Sequence, residues 1–190
     1  MVKVQRCDWC TADDLYTRYH DEEWGIPEFD DHALFERLIL ESMQSGLSWL
    51  TVLKKRERMR ERFFEFDPGR LARANRSNVE CWLKDEGLIR HRGKLEAMVG
   101  NARAVLEMDA AFSEFVWSYV GVPVQNRWRR SAEVPPMTET SKRMARTLKN
   151  CGFSFVGPTT CYAFMQSAGL VNDHLVSCFA HDECARVGRE

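Results

Sequence analysis

Apolar residues recur at helical spacing along most of this chain. In DDHALFERLILESMQSG, with Asp30 or Asp31 as the N-cap, Leu34, Leu38 and Glu41 fall on one line and Phe35, Ile39 and Met43 lie beside it. In TVLKKRERMRERFFEFDPG, Val52, Met59, Phe63 and Phe66 line one face. Lys54, Lys55, Arg56, Arg58, Arg60 and Arg62 crowd the others, and Asp67, Pro68 and Gly69 end the helix. KLEAMVGNARAVLEM repeats the pattern through Leu95, Met98, Ala102 and Val105. SKRMARTLKN does so through Met144 and Leu148, and TCYAFMQSA through Cys161, Phe164, Met165 and Ala168. No convincing alternating run predicts a strand, and Pro123 to Pro136 reads as one long loop. The pattern predicts an all-α fold.

Two places break the apolar pattern. Glu41 borders a buried stripe, an expensive position for a carboxylate. In GLVNDHLVSCF, residues 169–179, Asn172, Asp173 and His174 interrupt a segment that otherwise belongs in a core. His174 and Cys178 stand at i and i+4, so on a helical turn their side chains converge. Cys7 and His20 form a second pair, and four nitrogen and sulfur ligands suit a tetrahedral zinc ion. The competing reading is a hydrogen-bonded core histidine beside an inert thiol. Two such pairs at opposite ends of the chain favour a structural metal, with Cys10, His181 and Cys184 as competitors for ligand positions.

Bulk properties narrow the class. The chain has 190 residues, 44% hydrophobic and 29% charged, which describes an ordinary globular protein of one domain, 1–190. A net charge of -1 does not by itself advertise nucleic acid, so such a function must rest on local clustering. MVKVQRCDWCTADD lacks the apolar core of a signal peptide, and nowhere do about 18 apolar residues run together, so an intracellular protein without a membrane partner is expected. Seven cysteines at irregular spacing fit free thiols or metal ligands better than disulfides.

Two further constellations carry chemistry. In KNCGFSFVGPTTCYAFM, Gly152 and Gly157 bracket a turn between helices. The amides of Val156, Gly157, Thr159 and Thr160 would point outward at the next helix start, a cradle for a phosphate or simply an αα-hairpin. Aromatic residues concentrate in the N-terminal third as Trp9, Tyr16, Tyr19 and Trp24, with Trp49 eight residues after Glu41. Flat π surfaces beside a desolvated carboxylate suit a cationic heteroaromatic ring; each ring alone could equally be core. The basic run at 54–62 reads as a solvated helix face.

The stretches RCDW, YHDEEWGIP, LFERLILESMQSGLSWLTVLKKRE, GLIRHRGKLEAMVGNARA, FVWSYV and GFSFVGPTTCYAFMQSAGLVNDH closely resemble the DNA-3-methyladenine glycosylase I family, the zinc-containing branch of the helix-hairpin-helix DNA glycosylases. The resemblance runs from Arg6 to about Cys178. It implies a helix-hairpin-helix glycosylase fold of two helical lobes with the base pocket between them, a hairpin at about 150–168, and chain ends joined by one structural zinc ion on Cys7, His20, His174 and Cys178. It places Glu41 at the base-recognising carboxylate and Tyr16, Tyr19 and Trp49 at aromatic positions of the pocket. Gly46 and Leu47 match the turn that enters the DNA stack, and Gly152, Val156, Gly157, Thr159 and Thr160 the DNA-anchoring hairpin.

The implied activity is hydrolysis of the N-glycosidic bond of 3-methyladenine in double-stranded alkylated DNA, as a first step of base excision repair, by a monomer with no implied protein partner. Related enzymes that also cut the strand carry a hairpin lysine where this chain has Thr159, so lyase activity is not expected. Other members of the wider superfamily keep a catalytic aspartate in a VDTH-like run; in VNDH the matching position is Asn172. The rivals are a lesion-recognising DNA-binding protein without catalysis and a zinc hydrolase or deaminase. The latter is disfavoured because H-x-E with P-C-x-x-C is missing.

Overall fold

The structure is a computed structural model, and it describes residues 4–10 and 13–187. The extreme ends of the expected 1–190 domain lie outside the described residues. Ten α-helices occur among those described: α1 (Asp14–Glu22), α2 (Asp31–Gln44), α3 (Trp49–Arg62), α4 (Pro68–Leu71), α5 (Arg76–Lys84), α6 (Arg92–Leu106), α7 (Phe112–Trp117), α8 (Glu139–Asn150), α9 (Pro158–Ser167) and α10 (Phe179–Val187). The helical expectation is met.

Helix α2 is the axis of the core. Asp30 caps it by accepting from Ala33 N at 2.8 Å, a bond of the kind worth about 1 kcal/mol. Leu34, Phe35, Leu38, Ile39, Leu40 and Met43 are all essentially inaccessible, because α3, α6, α7 and α9 pack around the helix. The apolar faces read from the sequence in α3, α6, α8 and α9 join the same cluster. Most cations of the basic run are held by carboxylates. Arg56 binds Glu23 at 2.6 Å and Glu36 at 2.9 Å, Arg60 binds Glu36 at 2.8 Å, Arg58 binds Asp85 at 2.7 Å and Lys54 binds Asp13 at 3.0 Å.

Three local expectations need correction. Asp67, Pro68 and Gly69 begin a helix instead of closing one. Helix α3 stops at Arg62 and Phe64, Glu65 and Phe66 turn left-handed with φ of 57°, 56° and 58°. Asp67 then caps α4 through Arg70 N at 2.7 Å, with Pro68 in the first turn where it needs no donor. The long loop contains a strand, β1 (Val124–Gln125), paired in parallel with β2 (Val171–Asn172), Val124 opposite Val171. Two residues leave no readable alternation. Finally, His174 and Cys178 do not share a helical turn; they flank an irregular turn between β2 and α10.

Among the described residues no helix is long and apolar enough to cross a membrane.

Candidate active site and metal centre

The turn after β2 nevertheless delivers what i, i+4 spacing promised. The ligand atoms of Cys7, His20, His174 and Cys178, all buried, lie within 4.8 Å of one another. His174 Nδ1 is 3.2 Å from His20 Nε2 and 3.7 Å from the sulfurs of Cys7 and Cys178, and Cys178 Sγ is 3.4 Å from His20 Nε2. Metal–nitrogen bonds of about 2.0–2.1 Å and metal–sulfur bonds of about 2.3 Å give tetrahedral edges of roughly 3.3–3.8 Å, so the donor set fits such a metal. Cys178 is also the thiol most inclined to ionise: a hydrogen bond from Cys7, then those with His174 and His20, hold its pKa far below the ordinary value of 9.0.

The far ring nitrogens are fixed too, as metal-bound imidazoles require. His20 Nδ1 meets Asp21 Oδ1 at 2.8 Å, Asp21 in turn being gripped by Arg6 at 2.8 and 2.9 Å; His174 Nε2 meets the Trp24 carbonyl at 2.9 Å. Gly25, at φ +80°, is what lets the backbone come this close: a Cβ there would lie 2.9 Å from His174 Nε2. Of the competing ligands, Cys10 turns its sulfur to the Cys7 carbonyl at 3.2 Å and His181 binds the Asn126 carbonyl at 3.0 Å.

Beside this cluster opens a cavity of about 240 Å³. That is smaller than the roughly 300–1,000 Å³ clefts that take drug-sized ligands, a size for one flat heterocycle. Tyr16 and Tyr19 of α1, Glu41 of α2 and Trp49 of α3 all line it, together with Trp9 and Trp24. The rings brace one another: Tyr19 and Trp49 centroids are 5.3 Å apart, Trp9 and Tyr16 4.9 Å. Trp49 Nε1 is a buried donor without a partner among the described residues.

Glu41 is 5% exposed. Burial pushes its pKa from 4.5 up to about 8, against the opposing pull of the Ser167 hydroxyl and the Arg37 charge. Tyr19 is likewise raised well above the phenol value, by burial and then by Glu41. A poorly solvated carboxyl with a raised pKa, among aromatic rings, is the chemical character of this cavity.

The two loop elements lie elsewhere. Gly46 takes φ +78° and Leu47, 41% exposed, projects from the α2–α3 turn; Lys94 pins that turn by donating to the carbonyls of Met43 at 2.8 Å and Ser45 at 2.5 Å. In the hairpin, Gly152 is left-handed at φ +91°, but Gly157 is not: it sits at φ -71°, and the second left-handed residue is Phe155 at φ 58°. Gly157 is the N-cap of α9, so the first amides of that helix, Thr159 and Thr160 among them, have no acceptor within it. Val156 is fully buried and anchors the turn.

Sequence reasoning missed several lining residues: Gln44, Ser131, Val134, Ala163, Gln166 and Asp173. Ser131 and Val134 come from the long loop, where periodicity is silent. Asp173 did leave a signal, as a polar residue inside an apolar run. Its neighbour Asn172 is absent from the cavity wall: its amide donates to Gln125 Oε1 at 2.8 Å and the His181 carbonyl at 2.9 Å, and its oxygen accepts from His174 N at 3.3 Å.

A family model described as methyladenine glycosylase matches residues 9–181. The chain belongs to the methyladenine glycosylase family. It is 51% identical over 177 residues to the DNA-3-methyladenine glycosylase of Haemophilus influenzae, covering 91% of this chain and 96% of that one. To DNA-3-methyladenine glycosylase 1 of Escherichia coli it is 49% identical over 179 residues, covering 92% and 96%. Its fold matches a crystal structure of 3-methyladenine DNA glycosylase I with a TM-score of 0.92, 51% identity and coverage of 93% of this chain and all of the other. The Staphylococcus aureus enzyme, whose structure concerns 3-methyladenine recognition, matches at 0.90 with 37% identity and coverage of 93% and 96%. In this chain that fold carries the buried two-cysteine, two-histidine group, a site suited to a metal.

Proposed function

We propose that this protein is a monofunctional 3-methyladenine DNA glycosylase acting on alkylated double-stranded DNA, as one domain and as a monomer inside the cell. The observation that carries the reading is the buried Glu41 carboxyl in an aromatic cavity, in a chain about half identical to DNA-3-methyladenine glycosylases.

Methylation at N3 makes adenine cationic within the nucleotide, so the base leaves as a neutral molecule and its glycosidic bond is already weak. The protein therefore needs to extract the nucleotide, recognise it and stabilise charge, with little call for a strong general base. Leu47, on the turn held by Lys94, enters the stack vacated by the flipped nucleotide. The first amides of α9 and the turn from Gly152 hold a backbone phosphate. The base slides between the rings of Tyr16, Tyr19 and Trp49. Glu41, ionising as the cation approaches, binds it and stabilises the oxocarbenium-like sugar. Water completes hydrolysis and leaves an abasic site. Asn172 is occupied with backbone and amide contacts, in keeping with a reaction that does without the superfamily's aspartate, and Thr159 offers no amine for strand cleavage.

Cys7, His20, His174 and Cys178 would hold a zinc ion whose four protein ligands leave no site for a reactive water, so its contribution is a structural cross-link.

The test is incubation of the purified protein with methylated DNA and chromatography of the released bases. Release of 3-methyladenine with little 7-methylguanine is expected. A folded protein that binds the lesion and releases no base would instead be the lesion-binding module.

A further inference from the structure

Asp173 is the buried ionisable group of the cavity wall that the mechanism above leaves unused. It is 3% exposed yet faces the cavity. Its two oxygens collect four donors from two separate parts of the chain. Asn126 Nδ2 at 2.6 Å and Trp128 Nε1 at 2.7 Å donate to Oδ1, and Tyr162 Oη and Gln166 Nε2, both at 2.7 Å, donate to Oδ2. The loop before Ser131 and Val134 is thereby fastened to α9.

One of those bonds has a consequence for the cavity. An amide has a donor end and an acceptor end that are interchangeable in shape, and Asp173 Oδ2 is the acceptor that both Tyr162 Oη and Gln166 Nε2 meet. Gln166 must therefore turn its NH₂ to Asp173, which leaves Oε1 as its free end. Gln166 lines the cavity, and its Oε1 receives no hydrogen bond from the described residues. Gln166 thus carries a free acceptor at the cavity wall whose orientation is set by Asp173 beside it.

We propose that Asp173 is a positioning residue that sets base selectivity through Gln166: it holds Nε2 so that Oε1 meets an N–H of the exocyclic amino group of an adenine-type base and opposes the carbonyl that a guanine-type base carries at the same place. This rests on the reading of the cavity as a methylated-purine pocket. Glu41 supplies attraction for the cation, common to both bases; Gln166 supplies the discrimination between them.

The experiment measures kcat/KM for release of 3-methyladenine and of 3-methylguanine from the same methylated DNA, for the wild type, D173N, Q166L and the double variant D173N/Q166E. In D173N, Asn126 and Trp128 retain an acceptor while the new NH₂ faces Gln166, which turns round and presents its own NH₂ to the base. The ratio of 3-methyladenine to 3-methylguanine excision is expected to fall about tenfold, the size of one hydrogen bond gained or lost in a pocket. Q166L should lower the same ratio by abolishing the acceptor. D173N/Q166E should restore it, because the glutamate accepts both from the asparagine and from the base. A merely structural role would lower both rates together and leave the ratio unmoved. An unchanged ratio in folded D173N and Q166L overturns the proposal; if D173N does not fold, Q166L alone decides. Failure of the wild type to release 3-methyladenine would refute the pocket reading itself and this inference with it, a different result from release with an unaltered ratio.

Discussion

His20 and His174 meet edge to face, with His20 Nε2 3.2 Å from His174 Nδ1 and both rings buried. Two facing imidazole lone pairs repel unless a proton or a cation stands between them, and the nearby sulfurs of Cys7 and Cys178 favour a metal cation. The bond network then ties residue 7 to residue 178 and closes nearly the whole chain. One equivalent of metal should be found by elemental analysis of the purified protein. Chelation, or His174→Ala, should lower Tm by about 10 °C or more, since each kcal/mol lost is worth about 2–4 °C at this size and a lost metal cross-link costs several. A metal-free H174A variant that melts with the wild type would remove the structural role.

Asp21 lies outside the candidate ligand set but acts on it. It orients His20 through Nδ1 at 2.8 Å and is itself clamped by Arg6. Asp21→Ala should weaken metal affinity by roughly 10- to 100-fold, as loss of such partners does elsewhere, while leaving the four ligands in place. Competition against a chromophoric chelator measures this directly. Equal affinity in the variant would mean that the ring is held by packing against Trp9, Trp24 and Phe179 without the carboxylate.

Glu41 gives a pH prediction with a definite sign. Unfolded, it loses its proton near 4.5; folded, it keeps it until about 8. Its contribution to stability is therefore fully present below pH 4.5 and drains away as pH rises to about 8, at no more than about 1.4 kcal/mol per unit. Glu41→Gln should abolish that slope, so that the variant gains on the wild type in urea denaturation between pH 5 and 8. On the proposed function the sign reverses in catalysis, where the ionised form is the one that would attract the cationic base. Wild-type kcat/KM should climb toward pH 8 and level off, whereas E41Q should be low and flat. A flat wild-type profile would dismiss the recognising carboxylate.

The parts legible from the sequence are those with a physical period or a rare chemistry. Leu34 and Leu38 on one helical line with Phe35, Ile39 and Met43 beside it, and four nitrogen and sulfur ligands in an otherwise cysteine-irregular chain, each announce themselves. Glu41 was visible because a carboxylate rarely borders such a stripe. What stayed hidden depends on contacts between distant segments. Ser131 and Val134 reach the cavity because a two-residue parallel pairing and the bonds of Asn126 and Trp128 to Asp173 hold their loop there. Asp173 stood out as polar but gained meaning only from its donors at positions 126, 128, 162 and 166. Gly157 stands out as a glycine, yet beside Gly152 the second left-handed residue of that turn is Phe155, two residues before Gly157.

That displacement yields the last prediction. Gly169 and Gly157 flank α9, and the structure needs the first and not the second. Gly169 is at φ +73°, and a Cβ on it would stand 2.4 Å from Pro27 N and 2.5 Å from the Ile26 carbonyl carbon; Gly169→Ala should therefore prevent stable folding. Gly157 has an ordinary φ of -71° and nothing within 4 Å of its would-be Cβ, so Gly157→Ala should cost at most about 1 kcal/mol as an altered N-cap. If the absence of a side chain at 157 serves close approach of a DNA phosphate to the first amides of α9, the same variant should raise KM for methylated DNA several-fold with kcat nearly unchanged. Melting and steady-state kinetics on the one protein separate the two effects. Undiminished affinity in a folded G157A would mean that the phosphate is held by another part of the surface.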